Sequence, residues 1–292
     1  MAGWWSIGVT ACRGVGENPT LDTRHPTLDT SPMTALHVLG TPLMMTNYSD
    51  LAAQCQQWSR APGCVALDFA NTQIVTMRRH DPGFRELTSA YDHFPPDGMP
   101  LVWCLNRAGA GLRDRVYGPT FMRKFLESAP AQSTHYLLGG SEECGAKLRQ
   151  VFGQLNPGLK FVGAFHGRCQ PDGRLEGAAE EQIIVEINRL SPDYIWVGFG
   201  TPKQQAWVKQ HKPLIRRGVI LTVGFAFDVN AGMKPDAPPW MQRLGLTWIF
   251  RLCSEPRRLG PRYLRYNFLF LRYLLLDGIR GRAWGKVPVT AA

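Results

Sequence analysis

Residues 191–211 read SPDYIWVGFGTPKQQAWVKQH. Tyr194 to Val197 are all aromatic or β-branched and too few for a helix, which predicts a strand buried on both faces. Gly198 and Gly200 break the run, and Pro202 stands near the start of an amphipathic segment, 203–216. Lys203, Gln204 and Gln205 then put a cation and two amides at a helix end that attracts anions. Strand, glycine turn and helix in this order form the repeating unit of a parallel sheet.

The same unit recurs on both sides. Apolar runs at Cys64 to Leu67, Leu101 to Cys104, Tyr136 to Leu138, Phe161 to Val162 and Val219 to Val223 read as strands. Segments 112–127, 143–153 and 177–190 read as the helices between them. Continuous apolar strands alternating with helices predict an α/β fold, a Rossmann-like, mostly parallel sheet with helices on both faces. Such a domain is expected over 35–239. Residues 1–34, with the repeat Pro19–Thr23 and Pro26–Thr30 and no apolar periodicity, read as a flexible N-terminal tail. Beyond Pro238-Pro239 the alternation stops, so 240–292 reads as a helical, basic C-terminal appendage.

The chain has 292 residues, 44% hydrophobic and 19% charged, which excludes disorder. Lys and Arg exceed Asp and Glu by ten, and eight of those ten charges fall within 240–292. An anionic partner is therefore expected at the C-terminal end. Seven scattered cysteines without a CxxC pair argue against a disulfide framework or a zinc knuckle. The N-terminal MAGWWSIGVTACRG lacks a basic start followed by a long apolar core, and no stretch reaches the length of a membrane span, so a cytoplasmic location is expected.

Neither a P-loop nor a complete dinucleotide fingerprint is present, because the GxGxx stretches at Gly14 and Gly109 end in Pro and Asp. No Asp-x-Asp pair and no paired histidine spacing offers a metal site, so neither metal nor cofactor is expected. Ligands of a parallel sheet sit at the carboxyl ends of its strands. The loops there are Gly139-Gly140-Ser141, able to present backbone N–H groups to a phosphate, Phe165-His166-Gly167, the Gly200–Lys203 turn, and Gly224 to Asp228. Phe94-Pro95-Pro96-Asp97-Gly98 reads locally as a turn.

Together these stretches resemble the WecG/TagA/CpsF glycosyltransferases. The pieces are DFANTQIVTMRRHDPGFRE around Asn71, PDGMPLVW, Arg115-Val116-Tyr117-Gly118, LLGGS, INRLSPDYIWVGFGTPKQQAW, VGFAFDVNAG and WMQRLGLTWIFRLCSEPRRLGPRYL, spread from about Val38 to Leu271. The resemblance implies transfer of a sugar from a UDP-sugar to a polyprenyl-diphosphate-linked sugar in surface polysaccharide synthesis. It implies Asp97 as general base, with Asn71, Arg115 and Gln204 in the active site. Where many members read Thr-Pro-Asn this chain reads Phe69-Ala70-Asn71, and Gln205 replaces the Glu of PKQE. The missing Thr leaves the sugar open among N-acetylmannosamine, N-acetylmannosaminuronic acid and glucose.

The residues themselves fit such chemistry. Transfer needs a base for the acceptor hydroxyl and positive charge for the departing diphosphate. Asp97 supplies the first. Without a metal signature, arginines supply the second, the candidates being Arg115 with Arg251, Arg257, Arg258, Arg262 and Arg265. One base and no evident nucleophile imply direct displacement with inversion. Leu264, Phe268, Leu271, Leu275 and Ile279 recur at helical spacing, so the tail is expected to lie on the anionic inner face of the cell membrane. A homo-oligomer is compatible with this reading.

Two other readings stay open on the residues alone. A non-catalytic Rossmann-like module could bind single-stranded RNA through the aromatic, basic tail, against which no RNP or KH signature appears and no nucleic acid is expected. The tail could also be the last helices of the core, its arginines a solvated face.

Overall fold

The computed structural model describes residues 34–176, 180–279 and 286–288. The repeat at 19–30 and the first residues of the segment 177–190 lie outside the described residues. A β-hairpin comes first, β1 (Thr34–Val38) and β2 (Thr41–Met44). Leu39 and Gly40 both turn at positive φ, 50° and 80°, the backbone of a two-residue hairpin turn. Helix α1 (Tyr48–Arg60) leads into β3 (Gly63–Asp68), followed by α2 (Thr72–His80), α3 (Pro82–Leu87), α4 (Met99–Arg107) and α5 (Gly118–Ser128). The remaining units are β4 (Thr134–Leu138), α6 (Glu142–Leu155), β5 (Lys160–Phe165), α7 (Glu180–Leu190), β6 (Tyr194–Val197), α8 (Lys203–His211), β7 (Arg217–Thr222) and α9 (Ala226–Asn230). The C-terminal part holds α10 (Pro239–Arg243), α11 (Thr247–Ser254), α12 (Pro256–Ile279) and β8 (Lys286–Pro288), which pairs antiparallel with β1.

The main sheet has five parallel strands in the order β3-β7-β6-β4-β5. Alternate residues of one strand feed two different cores. Ile195 and Val197 of β6 pack with α2, α4, α7 and α8, whereas Tyr194 and Trp196 pack with α1, α5, α6 and α9. Both faces are dry, which is why these strands carry no polar alternation.

The run Leu101 to Cys104 is helix, not strand. Four consecutive apolar residues fit either element, and here Pro100 opens a helix that buries Leu101, Val102, Cys104 and Leu105. Likewise 112–117 is an extended link before α5, and 203–216 ends as helix at His211, with a short 3-10 turn at Lys212–Leu214.

Helix α12 lies along α2. Thr72 Oγ1 donates to Asn267 Oδ1 (3.4 Å), Arg79 pairs with Asp277 (3.3 Å), and His80 Nδ1 meets the Tyr273 hydroxyl (2.7 Å). Phe270, on the same face, is buried in the core. Leu264, Phe268, Leu271, Leu275 and Ile279 point away, from 60% exposed at Leu271 to 83% at Ile279. Among the described residues no helix is long and apolar enough to cross a membrane.

Candidate active site

The loop ending at Asp97 behaves as an extra strand beside β3. Leu67 bridges His93 and Ala70 bridges Pro96, both parallel. The Asp97 N–H donates to Ala70 O (2.7 Å), and Val116 N–H donates to Pro96 O (2.8 Å). These bonds hold the Asp97 backbone just beyond the carboxyl end of the sheet. Arg115 reinforces them, donating from Nη1 to Asp97 O (3.3 Å) and from Nη2 to Thr247 Oγ1 (2.7 Å) while stacking on Tyr117.

Burial pushes the Asp97 carboxyl up to about 7. The Arg115 charge, the Gly118 N–H and the Arg251 charge each pull it down, and Asp236 pushes it up. A carboxyl poised near neutrality suits a general base, since a large fraction is ionised near pH 7 and that form is basic enough to accept a proton.

Two cavities meet at this residue. The first, of about 380 Å³, is a polar cleft at the strand ends, lined by Asn71, Gly140, Gly200, Lys203, Gln204, Gly224, Asp228, Lys234, Arg251, Arg258 and Arg262. Gly224 turns at φ +50°, and a Cβ there would stand 3.3 Å from Gln204 Oε1, so glycine lets the two loops close on each other. Gln204 Oε1 accepts from Gly200 N–H (3.0 Å), leaving its amide nitrogen beside the cleft. Arg251 stacks 4.1 Å above Phe225, Lys234 pairs with Asp228 (3.3 Å) and Glu255 (3.1 Å), and Arg258 pairs with Glu255. The Arg262 Nε is buried without a hydrogen-bond partner, and burial lowers that guanidinium's pKa.

The second cavity, about 1190 Å³, is an apolar groove between α4, the α10–α11 turn and α12. Met99, Trp103, Tyr266, Phe270, Leu274 and Leu275 line it. Asn71, Asp97, Tyr117, Arg251 and Arg262 line both cavities and form the partition between them.

The sequence-named residues fall into three groups. Most line the polar cleft as described. Arg115 lines only the groove. Gly139, Ser141, Arg257 and Arg265 line neither: Gly139 packs beneath Phe199, where a Cβ would come within 2.9 Å, Ser141 caps α6 by accepting from Cys144 N–H (3.1 Å), and Arg257 and Arg265 are exposed. Asn71 uses its side-chain oxygen to cap α2 at Ile74 N–H (3.2 Å), which fixes the residue at the partition.

Sequence reasoning missed Asp68. It closes β3, is 1% exposed, lines the cleft floor, and accepts from Gln205 Nε2 (2.9 Å) and Thr222 Oγ1 (3.0 Å). Burial raises its carboxyl to about 6 against those two hydrogen bonds. The second amide of the PKQQ turn thus supports the floor, whereas Gln204 faces the cleft.

A polar cleft at the ends of a parallel sheet, with a partly buried carboxylate on its wall, is where such a fold binds a polar ligand. Residues 36–283 match the family model described as Glycosyl transferase WecG/TagA/CpsF family, and the chain belongs to that family. It is a glycosyltransferase. It is 29% identical over 192 residues, 65% of this chain and 72% of the relative, to the N-acetylglucosaminyldiphosphoundecaprenol N-acetyl-beta-D-mannosaminyltransferase of Staphylococcus aureus strain MRSA252. The protein of the same name from strain MW2 is 28% identical over the same spans.

Proposed function

We propose that this enzyme moves a hexosyl or N-acetylhexosaminyl group from a UDP-sugar to a sugar carried on a polyprenyl diphosphate, in surface polysaccharide synthesis, with inversion and without a metal. The observation that carries the reading is the position of Asp97 on the partition between a cationic polar cleft and an apolar groove. The UDP-sugar occupies the cleft, and the lipid-linked acceptor approaches from the groove side. The relatives' names fit an acceptor of that kind, a sugar on diphosphoundecaprenol.

In the reaction Asp97 takes the proton of the acceptor hydroxyl as its oxygen attacks the anomeric carbon. The bond from that carbon to the diphosphate oxygen breaks, and UDP departs with the electron pair. Arg251 and Arg262, both on the cleft wall, face the growing charge as cations already fixed in place. The Phe69 side chain, also on the cleft wall, replaces the hydroxyl that many family members carry there, and favours a donor making an apolar contact at that point.

What supports the metal-free reading is the positive charge the cleft itself offers a diphosphate, from Lys203, Lys234, Arg251, Arg258 and Arg262 on its wall. The outward stripe of α12, with Arg265 and Arg272 among the basic residues beside it, docks the enzyme on the anionic inner face of the cell membrane, where its acceptor is confined. The family match disfavours the RNA-binding alternative; of the C-terminal aromatics, Tyr266, Phe270 and Tyr273 pack against the core, while Trp240, Trp248 and Phe268 stay exposed.

The test is a UDP-release assay over a panel of UDP-sugars, with an N-acetylglucosaminyl diphosphate-lipid acceptor and exhaustive EDTA. Acceptor-dependent UDP release equal with and without EDTA is the expected result. Loss of activity that Mg²⁺ or Mn²⁺ restores overturns the arginine account, and the absence of release with every donor overturns the transfer reading.

A further inference from the structure

The apolar groove has more room than the about 300–1,000 Å³ of common small-ligand pockets, and it is open at both ends to different chemistry. Its inner end is the partition, with Asp97, Arg251 and Arg262, and Arg115 stands on the groove side of it. From there Met99, Trp103, Phe270 and Leu274 continue it outward to Leu271, Leu275 and Ile279, which also belong to the exposed stripe of α12. Trp103, a large aromatic left 55% exposed on α4, forms the opposite wall. The wall is built closely: Gly245 turns at φ +72° with its Cβ position 2.9 Å from Met99 Cβ and 3.6 Å from the Trp103 ring. A mainly apolar track, with Thr72, Gln73, Arg107, Asn267 and Asp277 also on its walls, thus runs from an outward apolar face to a cluster of guanidinium groups.

We propose that this groove seats the isoprene units nearest the diphosphate of the acceptor lipid, so that the enzyme recognises the prenyl chain itself and not merely the membrane that carries it. The inference rests on the lipid-linked acceptor reading above and names the subsite that reading lacks. A prenyl diphosphate matches the track at both ends, its anionic head at Arg251 and Arg262 and its branched apolar chain between Trp103 and Leu274. Burying such a chain contributes about 25 cal/mol per Å² of apolar surface removed from water, a gain unavailable to a bare diphosphate.

Two sets of side chains separate groove from membrane. Trp103 and Leu274 line the groove and lie outside the outward stripe, whereas Leu264 and Phe268 belong to the stripe and do not line the groove. The full chain is titrated calorimetrically, without vesicles, with geranylgeranyl diphosphate below its micelle concentration and with inorganic diphosphate. The prenyl compound is expected to bind at least about tenfold tighter, the factor corresponding to 1.4 kcal/mol. Trp103→Ala and Leu274→Asn should each remove most of that advantage and leave inorganic diphosphate affinity unchanged. Phe268→Ser should keep the advantage while reducing pelleting with anionic vesicles.

Equal affinity for the two probes overturns the proposal. So does an advantage that Phe268→Ser abolishes and Trp103→Ala retains, which would assign it to partition onto the stripe. Thermal melting and UDP binding of each variant identify a misfolded one, and the exposed Trp103 site makes Trp103→Ala the variant least prone to that. Because binding is read without turnover, failure of sugar transfer to a short-chain soluble acceptor counts against the transfer reading and leaves this result standing.

Discussion

The cleft and the groove share one partition and are built by opposite means. Loops make the cleft: the turns after β3, β4, β6 and β7 bring backbone N–H groups, glycines and amides to the sheet end. Helix faces make the groove, with α4 on one side and α12 on the other. Loop chemistry at strand ends recognises polar, directional ligands, whereas helix faces offer broad apolar area with little orientation. On the proposed reading the cleft serves the step that needs precision and the groove the step that needs capture.

The sharpest way to break this division is at the partition. Asp97→Asn keeps shape and removes the proposed base, so turnover should drop by roughly 10²–10⁴-fold while UDP affinity, read by calorimetry, holds. Near wild-type turnover would return Asp97 to the status of a turn residue.

Charge is the next lever. Arg262→Gln removes a guanidinium common to both cavities and should lower kcat/KM by about 10–100-fold, the worth of a hydrogen bond to a charged group. If the same change alters only acceptor KM, Arg262 serves the groove side alone.

A smaller effect concerns pH. The Asp97 carboxyl is raised to about 7, so kcat/KM should rise about tenfold per pH unit below that value and level off above it. Stability follows the opposite course. The folded pKa lies above the ordinary value of 3.8, hence the folded state holds its proton where the unfolded state has lost it. Stability therefore declines as pH rises from about 4 to about 7. Asp97→Asn lacks this penalty and should melt higher than the parent at pH 8, with a narrower difference at pH 4.5 by calorimetry. An equal shift at both values would mean that burial does not perturb the carboxyl.

The cleft was more legible in sequence than the groove for the same reason that they differ. The turn GFGTPKQQ carries its glycines, proline and amides within eight consecutive residues, and its relation to a strand is read directly. Asp68 escaped because a single carboxylate at the end of CVALD looks like the close of a strand, and its partner Gln205 is 137 residues distant. The hairpin before α1 escaped because Leu39-Gly40 lacks the Asn-Gly or Asp-Gly signal, leucine being an unusual residue at positive φ. Reading Leu101 to Cys104 as strand concealed α4 and with it Trp103. A groove between helices over a hundred residues apart leaves no local signature at all.

The common wall has one more consequence. Arg251 and Arg262 belong to both compartments, so a diphosphate bound on one side changes the electrostatic potential met by a diphosphate on the other. On the proposed reading, occupancy of the two sides is thermodynamically linked. By reciprocity, whatever factor the donor imposes on acceptor affinity, the acceptor imposes on the donor. Two like-charged headgroups sharing two guanidinium groups make that factor anticooperative before the reaction, and the departure of UDP relieves it.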